Sequence, residues 1–94
     1  MLKEIEDITF RLKFRLIELG VALPPPGIMT ISILNQINMD FKQMSHELLG
    51  ISSPLLFKNA QSVILNITGK YYLIDNVQQL WIALKKCLKY IESY

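Results

Sequence analysis

Few residues of this 94-residue chain are of the types that carry out chemistry in proteins, and they form no motif. His46 is the only histidine and Cys87 is the only cysteine. A metal site or an activated nucleophile needs at least one more such side chain at a suitable spacing. We therefore expect His46 to lie on a solvated helix face and Cys87 to be a small buried thiol. The sequence predicts neither a metal site nor a catalytic cysteine.

The hydroxyl, glycine and carboxylate residues also lack the local patterns that catalysis or nucleotide binding requires. No serine lies in a GxSxG turn, and the 4 glycines are separated along the chain, so no phosphate-binding loop is expected. Asp40 and Glu47 share the polar side of one predicted helix, which is common on solvated helices. We predict a protein that is not an enzyme and has no cofactor. An enzyme whose residues converge only in the fold is the remaining alternative.

The composition indicates one domain, spanning residues 1–94, with more apolar side chains than its surface easily accommodates. Hydrophobic residues make up 51% of the chain and charged residues 19%, against about 25% charged residues in an average soluble domain. A partner or a second copy would cover the excess apolar area; a well-filled core with an apolar surface is the alternative. The net charge of +2 is low for a protein that binds a polyanion through many phosphates.

The chain shows neither a secretory signal nor a membrane span. Its first residues include Lys3, Glu4 and Glu6, unlike the basic flank and apolar run of a secretory signal. The uncharged stretch 19–39 is interrupted by Pro24–Gly27, whereas a spanning helix needs about 20 apolar residues in one run. A single cysteine suits a reducing compartment. We expect an intracellular protein, cytoplasmic or nuclear.

Apolar residues recur at helical spacing in four segments, which predicts an all-α fold. We expect a small four-helix bundle-like domain. The alternative is a bundle that two chains share, which dimerisation would complete. The first two predicted helices span 2–19 and 31–49. The third begins at Pro54 and ends before Gly69, and the fourth follows an N-cap at Asp75 and runs to about Glu92.

The segments between these helices contain the residues that start and stop helices. A proline-rich linker at 21–29 separates the first two helices, and Thr30 is the expected N-cap of the second. Residues 71–74 fit either a strand or a buried connector, and we interpret them as a connector.

The first helix carries a second apolar stripe, formed by Phe10, Phe14 and Ile17, on a different face from its leucine and isoleucine stripe. A helix in a small bundle needs only one apolar face. Either both stripes are internal, with other helices packed on each side, or these three residues form half of an intermolecular contact. The second interpretation predicts Phe10, Phe14 and Ile17 as partner-binding residues.

Lys85, Lys86 and Lys89 lie on one side of the fourth helix, opposite its apolar face. They form either a solubilising face that complements the helix dipole or an accessory patch for an acidic partner or a phosphate backbone. We include them among the predicted partner-binding residues.

The leading hypothesis is therefore a helical protein–protein interaction module that self-associates or docks onto a partner protein through apolar helix faces. The alternative is a small DNA- or RNA-binding regulator that uses the segment from Phe41 to Asn66. This segment has a glycine between two predicted helices, as in a helix-turn-helix, but its following helix offers no arginine to a groove.

Overall fold

The computed structural model describes residues 2–20, 27–44 and 54–94, and within these ranges it contains helices and no strand. The helices are α1 (Leu2–Glu18), α2 (Gly27–Met44), α3 (Pro54–Thr68) and α4 (Val77–Glu92). The predicted all-α, four-helix fold class is confirmed, and a single chain supplies all of these helices.

Helix α1 follows its predicted bounds closely. Ile5, Ile8, Leu12 and Leu16 of its leucine and isoleucine stripe are buried, with Ile5 and Leu12 fully enclosed. Glu4 in the first turn and Arg15 in the last turn complement the helix dipole. The Gly20 N–H donates to the Ile17 carbonyl over 3.2 Å just beyond the end of the helix, where the glycine predicts the stop.

Helix α2 begins earlier than predicted. It starts at Gly27, so residues 27–29 of the predicted 21–29 linker belong to the helix. Thr30 is not the N-cap, because it lies within the first turn, where its side chain is buried. Proline is tolerated at a helix start and restricts the residue before it, so nothing after Pro26 prevents a helix from beginning. Residues 21–26 and 45–49, which complete the predicted linker and second helix, lie outside the described residues.

Helix α3 begins at Pro54 and ends before Gly69, as predicted. Gly69 has a φ of 72°, a left-handed conformation that glycine adopts most easily, and its N–H donates to the Leu65 carbonyl over 2.8 Å. Residues 71–74 form no strand, which confirms the connector, but the connector is only partly buried, because Tyr71 is 64% and Leu73 is 59% exposed. Ile74 is buried there and accepts a 3.5 Å hydrogen bond from Gln61 Nε2 at its carbonyl oxygen.

The N-cap of helix α4 is one residue later than predicted, at Asn76 rather than Asp75. Asn76 Oδ1 accepts a hydrogen bond from the Gln79 N–H over 2.8 Å. Gln79 Oε1 in turn accepts from the Asp75 N–H over 2.7 Å. Gln79 is the third residue after Asn76, so the Asn76 side chain reaches the third N–H of the helix. The two hydrogen bonds together form a variant of the capping box.

The helices form a ring in which α1 packs against α2 and α4, and α3 packs against the same two helices from the opposite side. Side chains from all four helices and Ile74 meet in one core. Pairs between α1 and α2 show that these two helices are antiparallel: Glu6 with Lys42, Thr9 with Asn38, and Lys13 with Asn35. The ring places α1 at a corner, with its inner stripe toward the core and its opposite side outward.

Candidate functional site

The most distinctive surface lies on the outward side of α1. Phe10, Phe14 and Ile17 are 57%, 58% and 58% exposed, and we call these three residues the outer face of α1. At about 100° per residue, positions four and three apart fall on one side of a helix. Leu12, on the opposite side, is 0% exposed. The helix is therefore apolar on two opposite sides, of which the bundle covers only one.

The interpretation in which both stripes are internal is wrong for the part of the chain that the structure describes. Among the described helices, α1 has only α2 and α4 as neighbours. Both pack against the inner stripe and the sides of α1, which leaves the outer face uncovered. Sequence periodicity finds this second stripe, and the ring arrangement explains why it remains exposed.

Charged side chains border the outer face on both sides. On the side of α2, Lys13 Nζ lies 3.1 Å from Asn35 Oδ1 and 5.4 Å from the centre of the Phe10 ring. On the side of α4, Arg11 Nη2 lies 3.2 Å from Glu92 Oε1. Both pairs are exposed, and such pairs contribute little to stability. The result is an apolar centre with a polar rim, the usual anatomy of an interaction surface.

Two shallow grooves run along the two sides of the outer face of α1. The groove between α1 and α4 has a volume of about 230 Å³ and is lined by Phe10, Phe14 and Leu88 together with charged side chains. The groove between α1 and α2 measures about 590 Å³ and includes Phe10 and Met39. Met39 is 63% exposed and extends the apolar surface across the second groove. Sequence reasoning missed Met39, because a lone apolar residue on a polar helix side gives no periodic signal.

The structure places the three predicted lysines on the outward side of α4, next to α1 in the ring. Lys85 Nζ lies 4.8 Å from the centre of the Trp81 ring, and Lys86 Nζ lies 5.7 Å from that of Tyr72. These are cation–π distances, which hold the two ammonium groups over aromatic rings. Lys89 is exposed in the last turn, where it complements the helix dipole. The three lysines are exposed on α4, and Lys86 lies toward the connector that carries Tyr72. The groove between α1 and α4 is lined on α4 by Leu88 and Glu92 rather than by these lysines.

Cys87 is fully buried in α4. Burial raises the pKa of its thiol to about 12, because the thiolate would be poorly solvated there. The thiol therefore stays protonated at neutral pH, and the prediction of a small buried thiol is confirmed.

The remaining chemistry-bearing residues do not converge on a site in the described structure. Asp40 accepts a 3.0 Å hydrogen bond from Gln36 on the surface of α2, and Glu47 and His46 lie outside the described residues. Within the described ranges, no group of His, Cys, Asp and Glu side chains is arranged to hold a metal ion.

The segment from Phe41 to Asn66 is only partly described, because its predicted turn falls in 45–53. On α3, Lys58 and Asn66 are exposed, whereas Gln61 makes a hydrogen bond to the connector. The described part contributes a single lysine to a groove-reading helix, which gives no added support to nucleic-acid binding.

No helix within the described ranges has both the length and the apolar character needed to cross a membrane. Comparison of the chain with protein-family models, with curated proteins and with solved structures gives no match.

Proposed function

We propose that this domain is a non-enzymatic protein–protein interaction module that packs the outer face of α1 against another protein molecule. The observation that supports the proposal is the exposure of Phe10, Phe14 and Ile17, each more than half exposed on one side of a single helix. Aromatic anchors dominate the energetics of protein interfaces. Lys85, Lys86 and Lys89 provide an accessory basic patch on the adjacent helix.

The size of the outer face suits a modest, reversible contact. A buried aromatic side chain accounts for about 150–250 Å² of surface, so each half-exposed phenylalanine retains on the order of 100 Å². With Ile17, the outer face then offers roughly 300 Å² of apolar area. A specific interface buries at least about 1,200 Å² over both partners. The three residues supply about half of that when both sides are similar, and the charged rim and Met39 contribute more.

The test is static light scattering of the chain and of its Phe14→Glu variant over a range of concentrations. The wild-type chain should show a rising average mass or, when association is very weak, a lowered second virial coefficient. Phe14→Glu should abolish that change, because it places a charge in the centre of the contact. Its circular dichroism spectrum and melting temperature at low concentration should remain those of the wild type, since the replaced side chain is exposed.

Leu65→Glu is the matched control. Leu65 is 43% exposed on α3, which lies across the ring from α1, so this change introduces the same charge at a distant apolar position. It should leave the scattering behaviour unchanged apart from a general charge effect. The proposal is contradicted if the wild-type chain associates and both Phe14→Glu and Leu65→Glu associate as strongly. A wild-type chain that stays monomeric leaves docking onto a different protein. Salt-sensitive binding of mixed nucleic acid would instead support the regulator alternative, because phosphate contacts weaken steeply as salt rises.

A further inference from the structure

We infer that the occupant of the outer face is a second copy of this chain, with the two α1 helices parallel and in register. This inference rests on the interaction function proposed above and adds the identity and orientation of the partner. Phe10, Phe14 and Ile17 are spaced four and three residues apart, as the d, a and d positions of a heptad are. In a parallel pair each residue meets its own counterpart, which gives three apolar layers.

The charges beside this stripe are self-complementary in the parallel arrangement. Glu6 and Lys13 occupy the g positions on the α2 side, and Arg11 and Glu18 occupy the e positions on the α4 side. In a parallel pair, a g residue faces the e residue five positions later in the partner helix. Glu6 then faces Arg11 of the second copy, and Lys13 faces Glu18 of the second copy. Two-fold symmetry repeats each attractive pair.

The present contacts of these side chains allow such a rearrangement. Arg11 contacts Glu92, and Glu6 Oε1 lies 3.8 Å from Lys42 Nζ, both at exposed positions. Exposed ion pairs of this kind contribute little to stability. They are easily exchanged for, or shared with, contacts across an interface.

The antiparallel arrangements fit less well. When Phe10 lies opposite Phe14 of the second copy, Arg11 approaches Arg11, Lys13 approaches Lys13, and Ile17 meets Asp7. When Phe14 lies opposite Ile17, Arg11 approaches Glu18 favourably, but only two apolar layers form within α1.

The parallel pair provides three apolar layers and attraction on both flanks. Asp7 would meet Asp7 at the next a position, which limits the parallel contact to the C-terminal part of α1.

The ring also leaves room for this pairing. Because α1 forms a corner, its neighbours α2 and α4 recede on both sides of the outer face. Grooves lie between the outer face and both neighbouring helices, so we expect two domains that approach along α1 to meet first through this face. The same geometry limits the area of the contact, which predicts a dimer that dissociates on dilution.

The test uses two single variants, Lys13→Glu and Glu18→Lys, in sedimentation equilibrium at low salt. Each variant alone places like charges at both Lys13–Glu18 pairs of its parallel homodimer. Its dissociation constant should rise about ten-fold, as expected when two exposed ion pairs turn repulsive. An equimolar mixture restores opposite charges at both pairs and should recover an affinity near that of the wild type. Lys58→Glu on α3 is the matched control and should leave the affinity unchanged.

A distance measurement provides an independent readout of orientation. Spin labels on Lys3→Cys, in a Cys87→Ala background, lie at the same end of the contact in the parallel dimer and should be within about 20 Å of each other. The antiparallel register with Phe14 opposite Ile17 would separate the labels by about 40 Å at 1.5 Å per helical residue.

The outcomes separate this inference from the proposed function. Association that depends on Phe14, recovery in the mixture and a short label distance together support the parallel dimer. Association that depends on Phe14 without recovery, or with a long label distance, overturns the parallel inference and leaves the proposed function intact. A wild-type chain that stays monomeric at every concentration overturns the second copy as occupant. Association that is insensitive to Phe14→Glu overturns both.

Discussion

Alanine substitutions on the two sides of α1 should have very different effects on the stability of the fold. Leu12 is 0% exposed in the core, whereas Phe14 is 58% exposed on the outer face. Replacing a fully buried leucine by alanine costs about 2–5 kcal/mol, because apolar contacts are lost and a cavity remains. Replacing Phe14 by alanine creates no cavity, and the better helix propensity of alanine offsets part of any loss. We expect a change within about 0.5 kcal/mol for Phe14→Ala, as for most surface substitutions.

These values correspond to clearly different melting temperatures. In a domain of this size, 1 kcal/mol shifts the midpoint by about 4–8 °C. Leu12→Ala should therefore melt at least about 8 °C below the wild type, and Phe14→Ala within about 4 °C of it. Circular dichroism melts and urea titrations at low micromolar concentration measure the fold alone, before any self-association contributes.

The concentration dependence of the same melts distinguishes a contact surface from a passive one. Binding to the folded state raises the apparent stability by mass action. The wild-type midpoint should therefore rise with protein concentration, and the Phe14→Ala midpoint should rise much less. A loss of 2 kcal/mol or more for Phe14→Ala at low concentration would refute the reasoning, since it would mean that Phe14 is part of the core.

Two further predictions concern α4. Burial raises the pKa of the Cys87 thiol to about 12 from an ordinary value of 9.0, so the unfolded chain loses this proton first as pH rises. The stabilisation from the protonated thiol is complete below pH 9 and declines between about pH 9 and 12 by roughly 1.4 kcal/mol per pH unit. In urea titrations, the free energy of unfolding should therefore fall more steeply with pH for the wild type than for Cys87→Ala. Asn76→Ala should cost about 1 kcal/mol in the same assay by removing the N-cap. Asp75→Ala, which leaves the hydrogen bond to Gln79 in place, should cost less than half as much, and equal losses would contradict the cap assignment.

The sequence is sufficient to predict the helices, because each helix has an apolar stripe that faces the core, and Gly20 and Gly69 mark the ends of α1 and α3. Among the helix bounds, the predicted starts of α2 and α4 are wrong. Thr30 and Asp75 both have side chains suited to capping, but a cap depends on which residue first takes a helical conformation. Gly27 can begin a helix directly after the prolines, and Asn76 competes successfully with Asp75 next to it.

The candidate site is less accessible to sequence reasoning than the helices are. Periodicity identifies Phe10, Phe14 and Ile17 as a second stripe but cannot tell whether another helix covers it. That depends on the order of the helices around the ring, which the individual helix patterns do not encode. Met39 and Phe10 line the same groove between α1 and α2, and their closeness likewise depends on the antiparallel register of these helices.

The arrangement of exposed apolar residues argues that the outer face of α1 is more than a generally apolar surface. The exposed aliphatic and methionine side chains of the other described helices form no stripe of three, as Met29, Leu55 and Ile82 show on α2, α3 and α4. Two exposed pairs lie elsewhere, Tyr71 with Leu73 in the connector and Tyr90 with Tyr94 at the end of α4. Scattered residues of this kind are normal on protein surfaces. On α1 alone, three of them align at heptad spacing with charges of alternating sign on each flank. Aligned apolar residues drive the pairing of helices and flanking charges set its orientation, so both features support the proposed contact between two molecules.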